Sequence, residues 1–137
     1  MKNVLIIGLV ILAVGVGLFF LLPDSKQTKN DLATTSTSSA TQKGEAIINE
    51  IKAGKAVMFD VRTPAEFNSN HSSLAQNFDS VLVDSGQFPN VSKDNTIYIY
   101  CRSGSRATVV KAKLEQNGFK NVVNLGSLTN MKQMGLL

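Results

Sequence analysis

The sequence predicts an α/β fold with a largely parallel sheet flanked by helices, preceded by one N-terminal transmembrane helix. Three observations predict it. Short apolar runs at residues 56–61, 96–100 and 121–125 have the length and bounded character of buried strands. Segments with helical spacing and helix start and stop signals lie between them, and helices alternating with apolar strands build a parallel sheet. Ahead of these, residues 4–22 form a run of 19 residues without a charge or a side-chain hydrogen bonder, long enough to cross a bilayer.

Lys2 and the amino terminus precede that run, the layout of an export signal. Leu21, Leu22, Pro23, Asp24 and Ser25 follow with no A-x-A-like site, so an uncleaved signal anchor over residues 1–22 is expected. With the amino terminus in the cytoplasm, the domain would lie outside a bacterial cytoplasmic membrane on a single-pass anchor, although Lys26 and Lys29 partly oppose that orientation. Residues 23–42 turn polar, and seven of the eight residues 34–41 are Ser or Thr, the composition of a tether. The folded domain is expected over residues 43–137. Its first helix places Ala46, Ile47, Ile51 and Ala53 on one face and ends at Gly54. Strand 56–61 follows. Thr63 as N-cap, Pro64 at N1 and Glu66 near the positive end then start a second helix. Strand 96–100 sets Tyr98 and Tyr100 on one face, as core. In the next helix Ala107, Val110 and Leu114 make the apolar face, Lys111 and Lys113 point away, and Asn117 and Gly118 close it. Strand 121–125 comes last, and Met131 and Met134 read as packing residues.

Composition narrows the function. The chain has 137 residues, and about 115 remain once the apolar segment is set aside, the size of one compact domain. Fourteen basic against ten acidic residues give +4, and no Lys or Arg run appears, so nucleic-acid binding has little support. One cysteine, Cys101, rules out a disulfide framework and a Cys-rich zinc site. No metal or cofactor is called for, and a monomeric domain is expected.

The chemistry concentrates at Cys101, Arg102, Ser103, Gly104, Ser105 and Arg106, between an apolar strand and an amphipathic helix. In open α/β sheets ligands bind at such a place, because the loop sits at the carboxyl end of a strand and the following helix presents unpaired N–H groups. Gly104 lets successive loop amides turn inward as an anion nest around the sulfur, and Ser103 and Ser105 can donate or cap. Nearby cations and a helix N-terminus favour the thiolate, the nucleophilic form of cysteine. Two of only three arginines flank the single cysteine, and their planar forks suit an oxyanion. The competing reading is an inert cysteine ending a strand.

Residues 60–67 (Asp-Val-Arg-Thr-Pro-Ala-Glu-Phe), His71 and the 101–106 loop (Cys-Arg-Ser-Gly-Ser-Arg) together resemble a single-domain rhodanese, of the sulfurtransferase family. The resemblance runs from about Gly44 to Leu128. It is closest in layout to the small exported type, with a proline-to-threonine approach to the catalytic strand at Pro89 to Thr96. It implies that Cys101 takes sulfane sulfur from thiosulfate or a similar small anionic donor, becomes a persulfide, and passes the sulfur to cyanide or a thiol. The loop from Arg102 to Arg106 would hold persulfide and leaving group, with Arg106 anchoring loop shape or substrate charge. Related phosphatases and arsenate reductases place one more residue between Cys and Arg, whereas four separate Cys101 from Arg106. A non-catalytic rhodanese-like module and an extracytoplasmic thiol redox protein are the alternatives. The redox reading lacks a resolving cysteine.

The sequence departs from the family pattern in two places. Asn70-His71-Ser72-Ser73-Leu74-Ala75 stands where Gly-His-Ile-Pro-Gly-Ala is usual, with Asn70 expected to supply a left-handed turn residue, and Gly126-Ser127 replaces Gly-Gly. His71 reads as structural. Arg62 and Glu66, four apart, are expected to pair as scaffold. Asp60 and Arg62 are candidate supporting residues, because Asp60 ends a strand on the active side of the sheet.

Overall fold

A computed structural model describes residues 31–137, with side chains from residue 38 onward. The expected membrane anchor and the first part of the tether lie outside the described residues. Among the described residues no helix is long and apolar enough to cross a membrane.

Helix α1 spans Asp31–Lys52 and reaches upstream into the Ser/Thr-rich segment. Its inward face is Ala40, Gly44, Ile47, Ile48 and Ile51, whereas Ala46 and Ala53 are exposed. The helical face therefore begins earlier than the expected boundary, because Ala40 continues the i, i+4, i+7 stripe. Gly44 sits where a Cβ would meet the Met134 carbonyl oxygen at 1.8 Å, so the absence of a side chain lets the helix lie against the chain end.

Strand β1 (Ala56–Asp60) leads to α2 (Pro64–Ser69), β2 (Ala75–Asn77) and α3 (Ser80–Asp84). Strand β3 (Thr96–Tyr100) leads to α4 (Ser105–Gln116), β4 (Asn121–Gly126) and α5 (Leu128–Gln133). The four strands are all parallel in the order β2-β1-β3-β4. The three apolar runs of the sequence are the central pair and one edge. The other edge strand is short and partly exposed, with no apolar run to mark it.

Alternation along β1 and β3 divides the core. Phe59, Val61, Ile97, Ile99 and Cys101 face Val83, Ala107, Val110 and Leu114 of α3 and α4. Ala56, Met58, Tyr98 and Tyr100 face Ile47 of α1 and Met131 of α5, with Met134 just beyond it. Both tyrosines and both methionines are core, as expected. Lys111 and Lys113 do not simply point away: Lys111 reaches Glu115 and the Val122 carbonyl, and Lys113 reaches Asp84. Their long stems let the ammonium groups bridge to neighbouring elements from the rim of the helix.

Register places the carboxyl ends of β1, β3 and β4 side by side, with Asp60 opposite Tyr100 and Tyr100 opposite Gly126. Between Ile99 and Tyr100 the β3–β4 register slips, so Leu125 is an extra residue on β4. Such bulges re-aim the chain where pairing ends. Cys101 is the next residue.

Candidate active site

Cys101 leaves β3 with its N–H donated to the Gly126 carbonyl at 3.2 Å. Its sulfur is buried, and the Gly104 N–H points back to it at 3.1 Å. That geometry requires a tight reversal. Gly104 has φ +97°, a region that side-chain-bearing residues rarely enter, and a Cβ there would stand 3.3 Å from the Gly126 Cα. Gly104 is also the N-cap of α4 and offers no side chain to the first amides of the helix, which leaves them for an anion.

The loop is braced on its β4 side. Ser103 pairs with Ser127 as an isolated antiparallel bridge, and the Leu128 N–H donates to the Arg102 carbonyl at 3.4 Å. Asn124 donates to the Gly104 carbonyl at 3.2 Å and to Thr108 Oγ1 at 3.0 Å, and its own carbonyl oxygen accepts from the Gly126 N–H at 2.8 Å. Asn124 thus ties the two halves of the site together; no sequence signal marked it beyond its place in an apolar strand. Ser103 and Ser105 share a hydroxyl hydrogen bond at 3.0 Å.

On the α2 side Arg106 makes a bidentate pair with Glu66 at 2.7 and 2.8 Å. Glu66 also accepts from the Thr63 N–H and hydroxyl, completing a capping box. The Arg106 guanidinium, with help from Thr63, holds the Glu66 carboxyl down at about 2, against the opposing effect of burial. Glu66 in turn raises the Arg106 pKa, and proximity to Cys101 adds to the shift. Arg102, by contrast, is exposed and has no ion-pair partner among the described residues. A buried thiol approached by a loop amide, followed by a clamped arginine at the head of a helix, is an arrangement that can favour a thiolate and receive an anion.

A profile of the family described as "Rhodanese-like domain" matches residues 44–133. The chain belongs to the rhodanese-like domain family. It is 35% identical over 69 residues to a sulfurtransferase of Allochromatium vinosum, covering 50% of this chain and 64% of that protein. It is 32% identical over 83 residues to the probable adenylyltransferase/sulfurtransferase MoeZ of Mycobacterium tuberculosis, covering 58% of this chain. The match spans only 21% of MoeZ, so both relatives extend well beyond the shared part. Among solved structures, a rhodanese-like domain protein from Staphylococcus aureus superposes with a TM-score of 0.52 at 26% identity, over 67% of this chain and 87% of the other. The human single-domain sulfurtransferase TSTD1 has a TM-score of 0.57 at 16% identity, covering 65% of this chain and 91% of that one, a likeness of fold.

In this rhodanese-like domain the expected Arg62–Glu66 pair does not form. Arg62 is 3% exposed and turns back onto Asp60, which is fully buried and accepts from the Arg62 backbone N–H at 3.0 Å and from Nε at 2.9 Å. The hydrogen bond to Asp60 raises the Arg62 pKa most, against burial. Burial decides the partner: a buried guanidinium just past the carboxyl end of β1 needs the carboxylate that is also buried, while Glu66 pairs with Arg106. The hydrogen bonds of the Asp60 and Arg62 side chains do not reach the 101–106 loop; Asp60 ends β1 opposite Tyr100, the residue before Cys101. Asn77, also unmarked in the sequence, ties the Asp60 and Arg62 carbonyls to β2.

The altered turn is held differently from the expectation. Asn70 is extended, with φ −173° and ψ 129°, and its carbonyl accepts from Arg62. Ser72 is buried and its N–H donates to the Tyr100 hydroxyl at 3.1 Å. Burial pushes the Tyr100 hydroxyl up to about 12, which keeps it a neutral partner. A buried polar anchor replaces the missing turn glycines and proline. His71 lies on the outside, stacked 3.7 Å from the Phe67 ring, with Nδ1 donating to the Phe67 carbonyl at 2.8 Å. Its partners are those of a structural residue.

Proposed function

We propose that the chain is a sulfurtransferase in which Cys101 carries the sulfur. The Cys101 thiolate attacks the outer sulfur of thiosulfate. A sulfur–sulfur bond forms on Cys101, the original one breaks, and sulfite leaves with the bonding pair. Cyanide or a thiolate then takes the outer sulfur, and the electron pair of the broken bond stays on Cys101. The observation that carries this reading is the Gly104 N–H at 3.1 Å from the Cys101 sulfur, in a loop where four residues separate the cysteine from a clamped arginine. The same inward amide and the head of α4 would face the charge of a persulfide. Arg102, exposed and without an ion-pair partner among the described residues, is the cation left to meet an anionic donor, while Arg106 is held by Glu66 and sets loop shape.

The companion proposal is a single-pass bacterial membrane protein with the domain outside the cytoplasmic membrane; the apolar run at residues 4–22 supports it. The sulfur cycle is tested by intact mass of the full chain before and after thiosulfate, followed by cyanide. Gain of one sulfur atom on Cys101, removed with formation of thiocyanate, is the expected result. A folded, reduced chain that gains no mass refutes transfer from thiosulfate.

A further inference from the structure

Beside the end of the loop, between α3 and the head of α4, lies an open recess of about 250 Å³ lined by Ser80, Asp84, Ser105, Arg106 and Val109. Ser80 and Asp84 are the two ends of α3, while Ser105 and Arg106 open α4. The recess therefore has a guanidinium on the loop side and a carboxylate on the facing helix. Each is already paired with a residue outside the lining: Arg106 with Glu66, and Asp84 through Oδ1 with Lys113 at 2.7 Å. A carboxylate has about four lone-pair sites, so the Lys113 contact leaves Asp84 able to accept from a second cation. Val109 and the serine hydroxyls occupy the space between the charges.

Because Arg106 is already engaged by Glu66, the open complement in the recess is Asp84, and it calls for a short occupant that is cationic at the α3 end. The volume lies below the roughly 300–1,000 Å³ of sites for drug-sized ligands. Discharge of a Cys101 persulfide requires the acceptor thiolate at the loop, which leaves the cationic end for Asp84. We infer that this recess is the acceptor subsite and that Asp84 selects thiols bearing an ammonium group over uncharged or anionic thiols. The inference rests on the sulfur-transfer reading. In the step itself the acceptor thiolate bonds to the outer sulfur of the persulfide, the bond to Cys101 breaks, and its electron pair restores the Cys101 thiolate.

The test uses the full chain loaded with thiosulfate and discharged in single turnovers by cyanide, cysteamine, N-acetylcysteamine and 3-mercaptopropionate. Each thiol rate is taken relative to the same variant's cyanide rate. Comparing variants then cancels the thiols' own reactivities. In Asp84→Asn the preference for cysteamine over N-acetylcysteamine falls about two- to five-fold, the range an exposed charge pair supports. Lys113→Met, which removes the competing cation, raises the same preference. An Asp84→Asn chain that discharges to cyanide yet keeps the native preference overturns the subsite and leaves sulfur transfer standing. A native chain that neither loads from thiosulfate nor discharges to cyanide overturns the sulfur-transfer reading and the subsite with it.

Discussion

Replacing Glu66 by Gln removes the charge that clamps Arg106 while keeping the size of the side chain. Glu66 moves from the usual 4.5 to about 2 in the folded chain, chiefly through its two hydrogen bonds from Arg106. A full transfer of that shift into stability is about 3 kcal/mol at ~1.4 kcal/mol per unit. The two side chains are 30% and 33% exposed, however, so water screens the pair, and about 1–2 kcal/mol is the expected loss at neutral pH. The sign follows from the direction of the shift. A depressed carboxyl pKa stabilises the fold above the unfolded value near 4.5, and that stabilisation disappears as pH falls toward 2. Urea unfolding of native and Glu66→Gln chains from pH 7 to pH 3 is the assay. The gap between them narrows by more than half at the acidic end. A gap that stays constant over that range, or is absent at pH 7, refutes the claim that the carboxylate charge holds Arg106. Sulfur loading of the same variant slows at neutral pH, because Arg106 no longer holds the end of the loop.

Asp60→Ala leaves the buried Arg62 guanidinium without its carboxylate and costs about 3–5 kcal/mol in urea unfolding, and adding Arg62→Met recovers much of the loss. Gly104→Ala forces a side chain into φ +97° against Gly126 and costs about 1–3 kcal/mol; thiosulfate loading measured by mass falls with it, since the Gly104 N–H is displaced from the sulfur. Cys101→Ala gains no sulfur from thiosulfate and keeps its circular dichroism spectrum; uptake in that variant refutes Cys101 as the sulfur carrier.

The strands and the loop were legible because their signals are local. Thr96–Tyr100 is a strand of β-branched and aromatic residues, and Thr63 and Glu66 form a capping box, with Pro64 at N1, all neighbours in sequence. Cys101 to Arg106 was visible as a strand, a tight glycine loop and a helix start. The short elements β2 and α3 were not, since three and five residues carry too little periodicity to stand out. The upstream part of α1 was hidden by a Ser/Thr composition of weak helix propensity, and within it Ala40 packs against the core from outside the expected boundary.

By itself, the sequence determined the α/β alternation, the position of the single thiol at the end of a buried strand, and the capped helix that follows Asp60. It did so because hydrophobic period, caps and glycine conformations depend on near neighbours. Tertiary structure alone decided which charges pair. Arg62 lies four residues before Glu66, yet it joins Asp60 at the carboxyl end of β1, while Glu66 crosses forty residues to Arg106. Burial and the parallel register set those distances, and so does the bulge at Leu125 that brings Gly126 and Asn124 against the loop. Spacing along the chain carries no record of them.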